Sequence, residues 1–484
     1  MTEQDINLTE LPKGWVWTRL VELTDIIQGQ SPPSVTYNEE ENGLPFYQGK
    51  LEFGDVYPLP QKWCTAPRKI AEKNDVLISV RAPVGPTNIS PGRSCIGRGL
   101  AAIRGLGGIE PFFVLYLIRA HEQILSGQGT GTTFNAITGD KLRNLAIPLP
   151  PLPEQKRIVT KIEELFTRLD NGVNELKKVQ LQLKRYRQSV LKSAFNGELT
   201  AKWREGHKAE LEPASVLLER IKIERKKNGK YKELPQIDTT DLLELPEGWT
   251  WARIGEIVEA LQYGTSEKTN DDSAGIPVVR MGNIQEGKLI FDRLKYLPST
   301  YPLIGELLLQ DGDILFNRTN SSELVGKVAK YNNSQPRAIF ASYLIRIKPN
   351  RDAYDPDFMT YFINSFYGRQ YINSVVTQQV GQANVNGTKL AMMPVPFCAL
   401  AEQQKIVEGI ESCFSVADEI DATIEVSLKQ SERLRQSILK QAFEGKLVPQ
   451  DLNDEPADKL LERIKAEKVK TQANAKRGRA INVR

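Results

Sequence analysis

The sequence predicts an α+β protein in which two mixed α/β domains are separated by two long helices forming an antiparallel coiled coil, an internal duplication with pseudo-twofold symmetry. Three observations predict it. A tryptophan-containing entry occurs twice, as Leu11-Pro-Lys-Gly-Trp-Val-Trp-Thr-Arg-Leu20 and Leu245-Pro-Glu-Gly-Trp-Thr-Trp-Ala-Arg-Ile254. A helix end also recurs, as Arg185-Tyr-Arg-Gln-Ser-Val-Leu-Lys-Ser-Ala-Phe-Asn-Gly-Glu-Leu199 and Arg433-Leu-Arg-Gln-Ser-Ile-Leu-Lys-Gln-Ala-Phe-Glu-Gly-Lys-Leu447, at an offset of 248 (433 minus 185). Between entry and helix the two halves share only a skeleton, such as Leu44-Pro45 with Ile276-Pro277 and Asn74-Asp-Val-Leu77 with Gly312-Asp-Ile-Leu315. Helices that resemble each other more than the domains beside them do are expected to serve one common task, and the domains two different ones.

In chain order, residues 1–150 form the first domain. Its short β-rich runs, such as Val76-Leu-Ile-Ser-Val80, are bounded by Gly, Pro and Asn, and a helical patch begins at Pro111, where the missing N–H is harmless. Residues 151–200 form the first long spacer helix. It opens at Pro148-Leu-Pro-Pro-Leu-Pro-Glu-Gln-Lys-Arg-Ile-Val159 and stops at Gly197. Its apolar positions Ile158, Ile162, Leu165, Leu169, Val173, Leu176, Val179, Leu183, Tyr186 and Val190 are spaced mainly by three and four, the pattern of a coiled-coil seam. About forty helical residues span ~60 Å.

Residues 201–243 are a short helix and linker, and 244–398 the second domain, with strands at Ile314-Leu-Phe316 and Tyr343-Leu-Ile-Arg-Ile347 and a helix opening at Pro356. Residues 399–448 repeat the spacer helix through Ile406, Ile410, Cys413, Ala417, Ile420, Ile424, Leu428, Leu434 and Ile438. Its start, Phe397-Cys-Ala-Leu-Ala401, lacks the prolines of the first copy. Residues 449–484 supply a short C-terminal helix and a basic tail. A stripe this long cannot be buried by one helix alone, so the two are expected to pack on each other; the alternative is that each packs only on its own domain.

The chemistry this chain lacks is as informative. There is no phosphate loop, GxSxG elbow, HExxH pair or EF-hand pattern, and no Asn/Asp-Pro-Pro-Tyr/Phe loop of an adenine methyltransferase. Four cysteines too scattered for metal pairs and only two histidines make a zinc site unexpected, and reduced thiols are the expectation. No apolar run suits a membrane span and no secretory signal is visible, which points to the cytoplasm. The net charge of +4 permits nucleic acid as a partner without demanding it.

Binding is the better reading. In the second domain Tyr263, Arg280, Asn283, Asn317, Arg318, Asn320, Gln382, Asn384 and Asn386 lie in or beside loops rich in Arg, Asn and Gln. The first domain offers Gln48, Lys50, Arg81, Arg93, Arg98, Thr130, Thr132 and Asn135. Arg can fork to guanine and Asn or Gln can bond adenine in two places, so these residue types suit base edges. Taken singly, Asn and Gly also make turns and Arg also solvates a surface; the clusters in matching places of both halves favour the functional reading.

Taken together, the repeated Trp entry, the Pro-Glu-Gln-Lys-Arg-Ile-Val helix start, the repeated helix end and Asn384-Val-Asn-Gly-Thr-Lys-Leu390 resemble the specificity subunit of type I restriction-modification enzymes over nearly the whole chain. The resemblance implies two target-recognition domains, each reading one half of a bipartite double-stranded DNA target, and no catalysis by this chain. It implies spacer helices that fix the gap and dock two methylation subunits, with Ile158, Ile162, Leu165, Leu169, Leu176, Ile406, Ile410, Ile424 and Ile438 as the candidate spacer residues. It implies no cofactor on this chain: S-adenosylmethionine, ATP and Mg2+ serve the methylation subunits and two restriction subunits. The rival readings are a free-standing DNA-modifying enzyme, a nuclease or methyltransferase with unrecognised motifs, and a coiled-coil scaffold that binds only protein.

Overall fold

The computed structural model describes residues 10–127, 136–227, 233–379 and 382–481, and the side chains of all of these except 378–379 and 471–481. The chain divides into two compact units: residues 1–177 with 425–484, and residues 178–424. Each division point falls inside one of two 44-residue helices, Leu152–Phe195 and Leu400–Phe443. No helix among the described residues is long and apolar enough to cross a membrane.

The first unit is built on a four-stranded antiparallel sheet in the order Thr24–Gln28, Leu100–Gly105, Val76–Ser79, Thr87–Ile89. Val76–Ser79 is buried on both faces, which is why it reads as an unbroken apolar run rather than an alternation. The helix Pro111–Ala120, with proline in its first turn, buries Phe113, Val114, Leu117 and Ile118 in the same core. A second sheet carries Lys62–Cys64, Leu44–Tyr47 and Ser94–Ile96 side by side, the last two parallel.

The second unit repeats this order strand for strand. Its four-stranded sheet runs Val258–Tyr263, Leu344–Pro349, Ile314–Asn317, Val328–Lys330, and its second sheet Lys295–Leu297, Ile276–Val279, Ile339–Phe340, again with one parallel pair. The shared Asn74-Asp and Gly312-Asp skeleton is one turn made twice. Asn74 and Gly312 take positive φ, and Asp75 Oδ2 and Asp313 Oδ2 accept the N–H of Glu72 and Gln310, each at 2.8 Å.

Within each unit the two long helices pack antiparallel. In the first unit Ile158, Val159, Ile162 and Phe166, near the start of the first helix, share a core with Ile438, Leu439, Ala442 and Phe443 at the end of the second. Arg435 bonds Asp170 and lies over the Phe166 ring at 4.6 Å. In the second unit Val190, Leu191, Ala194 and Phe195 meet Ile406, Val407 and Ile410, and Arg187 bonds Asp418 and Asp421, each at 2.7 Å. Each domain is thus gripped by the start of one long helix and the end of the other, not by its own helix alone. The seam is narrower than the spacing suggests. Ile158, Ile162, Ile406, Ile410, Ile424 and Ile438 are buried and Leu165, Leu169 and Leu176 half-buried, but Val179, Tyr186, Ile420 and Leu434 are exposed. The physical reason is that the helix ends turn a wider face into a domain core, recruiting Val159, Phe166, Leu191, Val407 and Leu439 from outside the three-four stripe.

The repeated motifs meet in one junction, made once in each unit. Trp15 Nε1 donates to Glu154 Oε2 at 3.0 Å, and Trp249 Nε1 to Glu402 Oε2 at 2.9 Å, so each entry is tied to the Glu-Gln that opens the following long helix. The neighbouring Gln155 and Gln403 donate to the carbonyls of Pro150 and Cys398. The end of the opposite long helix closes the same junction: Gly445, φ +70°, lies against Pro12, and Gly197, φ +72°, against Pro246. The start of a further helix completes it, Ala457 N–H donating to Gly14 O and Ala214 N–H to Gly248 O; the second of these helices, Ala214–Lys227, has 14 residues, but the C-terminal one, Ala457–Ile481, has 25 and is not the short helix the sequence suggests.

Candidate nucleic-acid interface

Backbone hydrogen bonds set the correspondence between the two units residue by residue. Gly97 N–H donates to Tyr47 O at 2.8 Å and Ala341 N–H to Val279 O at 2.9 Å. Val80 N–H donates to Gly99 O at 2.9 Å and Arg318 N–H to Tyr343 O at 3.0 Å; Ile137 N–H donates to Val80 O and Val385 N–H to Arg318 O. It follows that Gln48 stands where Arg280 stands, Ser79 where Asn317, Val80 where Arg318, Arg81 where Thr319, and Arg98 where Ser342. The edge-strand register adds Gln28 opposite Ala101 and Tyr263 opposite Ile345, which makes Gln28 and Tyr263 equivalent.

In the first unit these positions surround a half-open crevice of about 280 Å³. Gln48, Lys50, Arg81 and Arg98, four of the residues singled out from the sequence, line it together with Ser31 and Ser79. The walls are held by backbone: Glu52 Oε2 accepts the N–H of Gly49 at 3.0 Å, Arg98 N–H donates to Ser31 Oγ at 3.3 Å, and Ser79 Oγ donates to the carbonyl of Arg81 at 3.0 Å. The side chains of Gln48, Lys50, Arg81 and Arg98 are exposed. The crevice is therefore positive, and its cations face water. Burial pushes the Glu122 carboxyl up, against the pull of Arg119 and of Lys50 in the crevice wall. Arg93 does not line the crevice and pairs with Glu72 at 3.4 Å. Thr130, Thr132 and Asn135 lie outside the described residues.

In the second unit the same positions carry a packed polar cluster. The Arg318 guanidinium lies over the Tyr263 ring, 4.9 Å from its centroid, and donates to Ser342 O at 3.3 Å. The Tyr263 hydroxyl accepts the N–H of Gly387 at 2.7 Å. Asn317 is buried and its Oδ1 has no hydrogen-bond partner. Arg280 donates through Nη2 to Arg293 O at 3.0 Å while its Nε is buried and unpartnered. Four further residues are committed elsewhere. Asn283 is buried, its Oδ1 accepting Arg280 N–H and its Nδ2 donating to Ile290 O and Asp292 O, so it holds the turn. Asn384 Nδ2 donates to Thr319 Oγ1, and Asn386 caps the helix Gly387–Ala391 by accepting Lys389 N–H. Asn320 Oδ1 accepts Ser321 N–H, and Gln382 stays exposed on the strand Gln382–Asn384.

Sequence reasoning missed Gln28, Ser31, Ser79 and Ser342. The three serines carry no signal of their own, and Gln28 lies within a strand rather than in a polar loop; the strand register places Gln28, Ser79 and Ser342 with the arginines, and the crevice lining places Ser31. Among the described residues no group of three or more His, Cys, Asp or Glu is placed to hold a metal ion.

One scaffold is built twice and presents unlike sets of Arg, Asn, Gln and Ser at the same positions, the layout of a DNA-recognition subunit rather than of a catalytic one. The chain belongs to the family of type I restriction-modification DNA specificity domains, whose model matches residues 12–182 and 246–430. The type I restriction enzyme EcoKI specificity subunit of Escherichia coli is 27% identical over 490 residues, covering 95% of this chain and 96% of its own. A putative type I restriction enzyme specificity subunit, MjaX, of Methanocaldococcus jannaschii is 39% identical over 202 residues, covering 40% of this chain and 46% of that one. Two solved structures share the fold. A chain from a structure concerned with complex assembly and conformational transition of the type I R-M system aligns with a TM-score of 0.65 at 20% identity, covering 90% of this chain and 99% of that one. The HsdS subunit from Thermoanaerobacter tengcongensis gives a TM-score of 0.50 at 21% identity, covering 92% and 100%.

Proposed function

We propose that this chain reads a bipartite target on double-stranded DNA for a type I restriction-modification complex, one block with each domain, and has no catalytic step of its own. The observation that carries the reading is the contrast between frame and readers. The Trp-Glu junction, the strand order and the helix ends are the same in both units, while positions 48 and 280, 79 and 317, and 98 and 342 bear different side chains. A frame repeated without its readers suits a protein that binds one partner twice and two DNA sequences once each.

In this reading the paired long helices set the separation of the blocks and dock two methylation subunits in the cytoplasm. Those subunits bring S-adenosylmethionine and methylate adenine; two restriction subunits bring ATP and Mg2+ and cleave unmodified DNA. The buried spacer residues Ile158, Ile162, Ile406 and Ile410 serve packing, which leaves docking to exposed helix positions. Methyl transfer from S-adenosylmethionine to DNA is the test. The isolated chain is expected to give background incorporation, and the chain assembled with its methylation subunits to modify adenines in two separated blocks. Transfer by the isolated chain, or a footprint of the complex without contacts from this chain, overturns the reading.

A further inference from the structure

The geometry points to a single reading site used by both units: we infer that positions 48 and 280, 79 and 317, and 98 and 342 are paired base-reading positions, at which the two domains differ in sequence choice because they differ in side chain. This rests on the function proposed above and assigns residues to it, including Ser79, Ser342 and the buried Asn317.

Two independent observations converge on these positions. The first is the crevice of about 280 Å³, which gathers Gln48, Ser79 and Arg98 from three separate strands' ends. The second is hydrogen-bond satisfaction. Among the described residues five buried side-chain polar atoms lack a partner: two of them, Arg280 Nε and Asn317 Oδ1, sit on the inferred positions, and two more, Gln28 Nε2 and Arg318 Nε, on the neighbouring matched positions 28/263 and 80/318. A buried polar atom without a partner is costly, so clustering of such atoms marks a place built to meet a polar ligand rather than to stabilise the fold. The ligand has to offer donors and acceptors in fixed planar patterns and tolerate cations. Base edges flanked by phosphates meet both demands.

The side chains differ in the way that reading requires. The first unit sets Gln48 and Arg98 at the rim with the small Ser79 between them, leaving the crevice open. The second carries the arginine at position 280 and buries Asn317 where the first has Ser79. An amide suits adenine and a guanidinium suits guanine, so relocating the arginine relocates the preferred base.

The test uses the complex assembled with its methylation subunits, with methylated adenines and their flanking sequence profiled over a genomic DNA. Gln48→Ala and Arg98→Ala, at exposed sites, are expected to relax base choice in one block about tenfold and leave the other unchanged. Arg280→Ala and Asn317→Ser are expected to relax the other block alone. Unchanged base choice in either block with both of its variants overturns the shared site, even with a bipartite wild-type target. A wild-type profile without two separate blocks refutes the proposed function instead. Should the buried Asn317→Ser fail to fold, Arg280→Ala decides the second unit.

Discussion

Trp15 and Trp249 have the same task, yet the carboxylates they bond are supported unequally. Among the described residues Glu154 accepts, besides Trp15, from Gln450 Nε2 at 3.3 Å, whereas Glu402 also accepts from Thr200 Oγ1 at 2.9 Å and Arg204 Nε at 2.7 Å. Removing the indole donor from a buried carboxylate costs about 1–3 kcal/mol. Trp15→Phe should therefore lower the denaturant midpoint, and Trp249→Phe should lower it less. Glu154 adds a pH dependence. Burial raises its pKa above the ordinary glutamate value, against the bonds from Trp15 and Gln450. The folded protein then binds this proton more readily than the unfolded chain. The group's contribution to stability falls as pH rises from the ordinary carboxylate range through the raised folded pKa, and is flat above it. Glu154→Gln abolishes that titration, so thermal melts should show wild type gaining on the variant as pH falls through that window. A constant difference would mean the folded protein leaves this carboxyl unshifted.

At the scale of elements, the long helices and their ends were the most legible part of the sequence, because helix period, proline start and glycine stop are local signals. Ile158, Ile162, Ile406 and Ile410 are buried as their spacing predicts. Tyr186 and Leu434 fit the same spacing and are exposed, since what a helix faces depends on tertiary neighbours that periodicity does not encode. The binding positions were half legible. Arginine, asparagine and glutamine announce themselves, so Gln48, Arg98, Arg280 and Asn317 could be picked out, but Asn283 looks the same in sequence and is bonded entirely to backbone. The glycine stops make a sharp prediction. At Gly197 and Gly445 a Cβ would meet a proline Cγ at 2.2 and 2.3 Å, in backbone already at positive φ. Gly197→Ala and Gly445→Ala should each cost more than about 1 kcal/mol in equilibrium unfolding, through the junction each closes. Phe195→Ala, which removes a fully buried ring stacked edge-on against Phe358 and Phe362, should cost about 3–5 kcal/mol.

At the scale of the whole molecule, a duplicated frame with diverged readers predicts that the domains are interchangeable modules. Inserting one helical turn into a long helix should lengthen the spacing between the two methylated blocks and alter neither. The most direct measurement follows from replacing residues 244–398 with a second copy of residues 10–150, both seams falling at matched positions of the repeat. The assembled complex, profiled for methylated adenine, should then recognise two blocks of the same sequence, the one read by the first domain of the native chain. Retention of the native pair of blocks by the folded chimera would contradict the account, because sequence choice would then lie outside the domains.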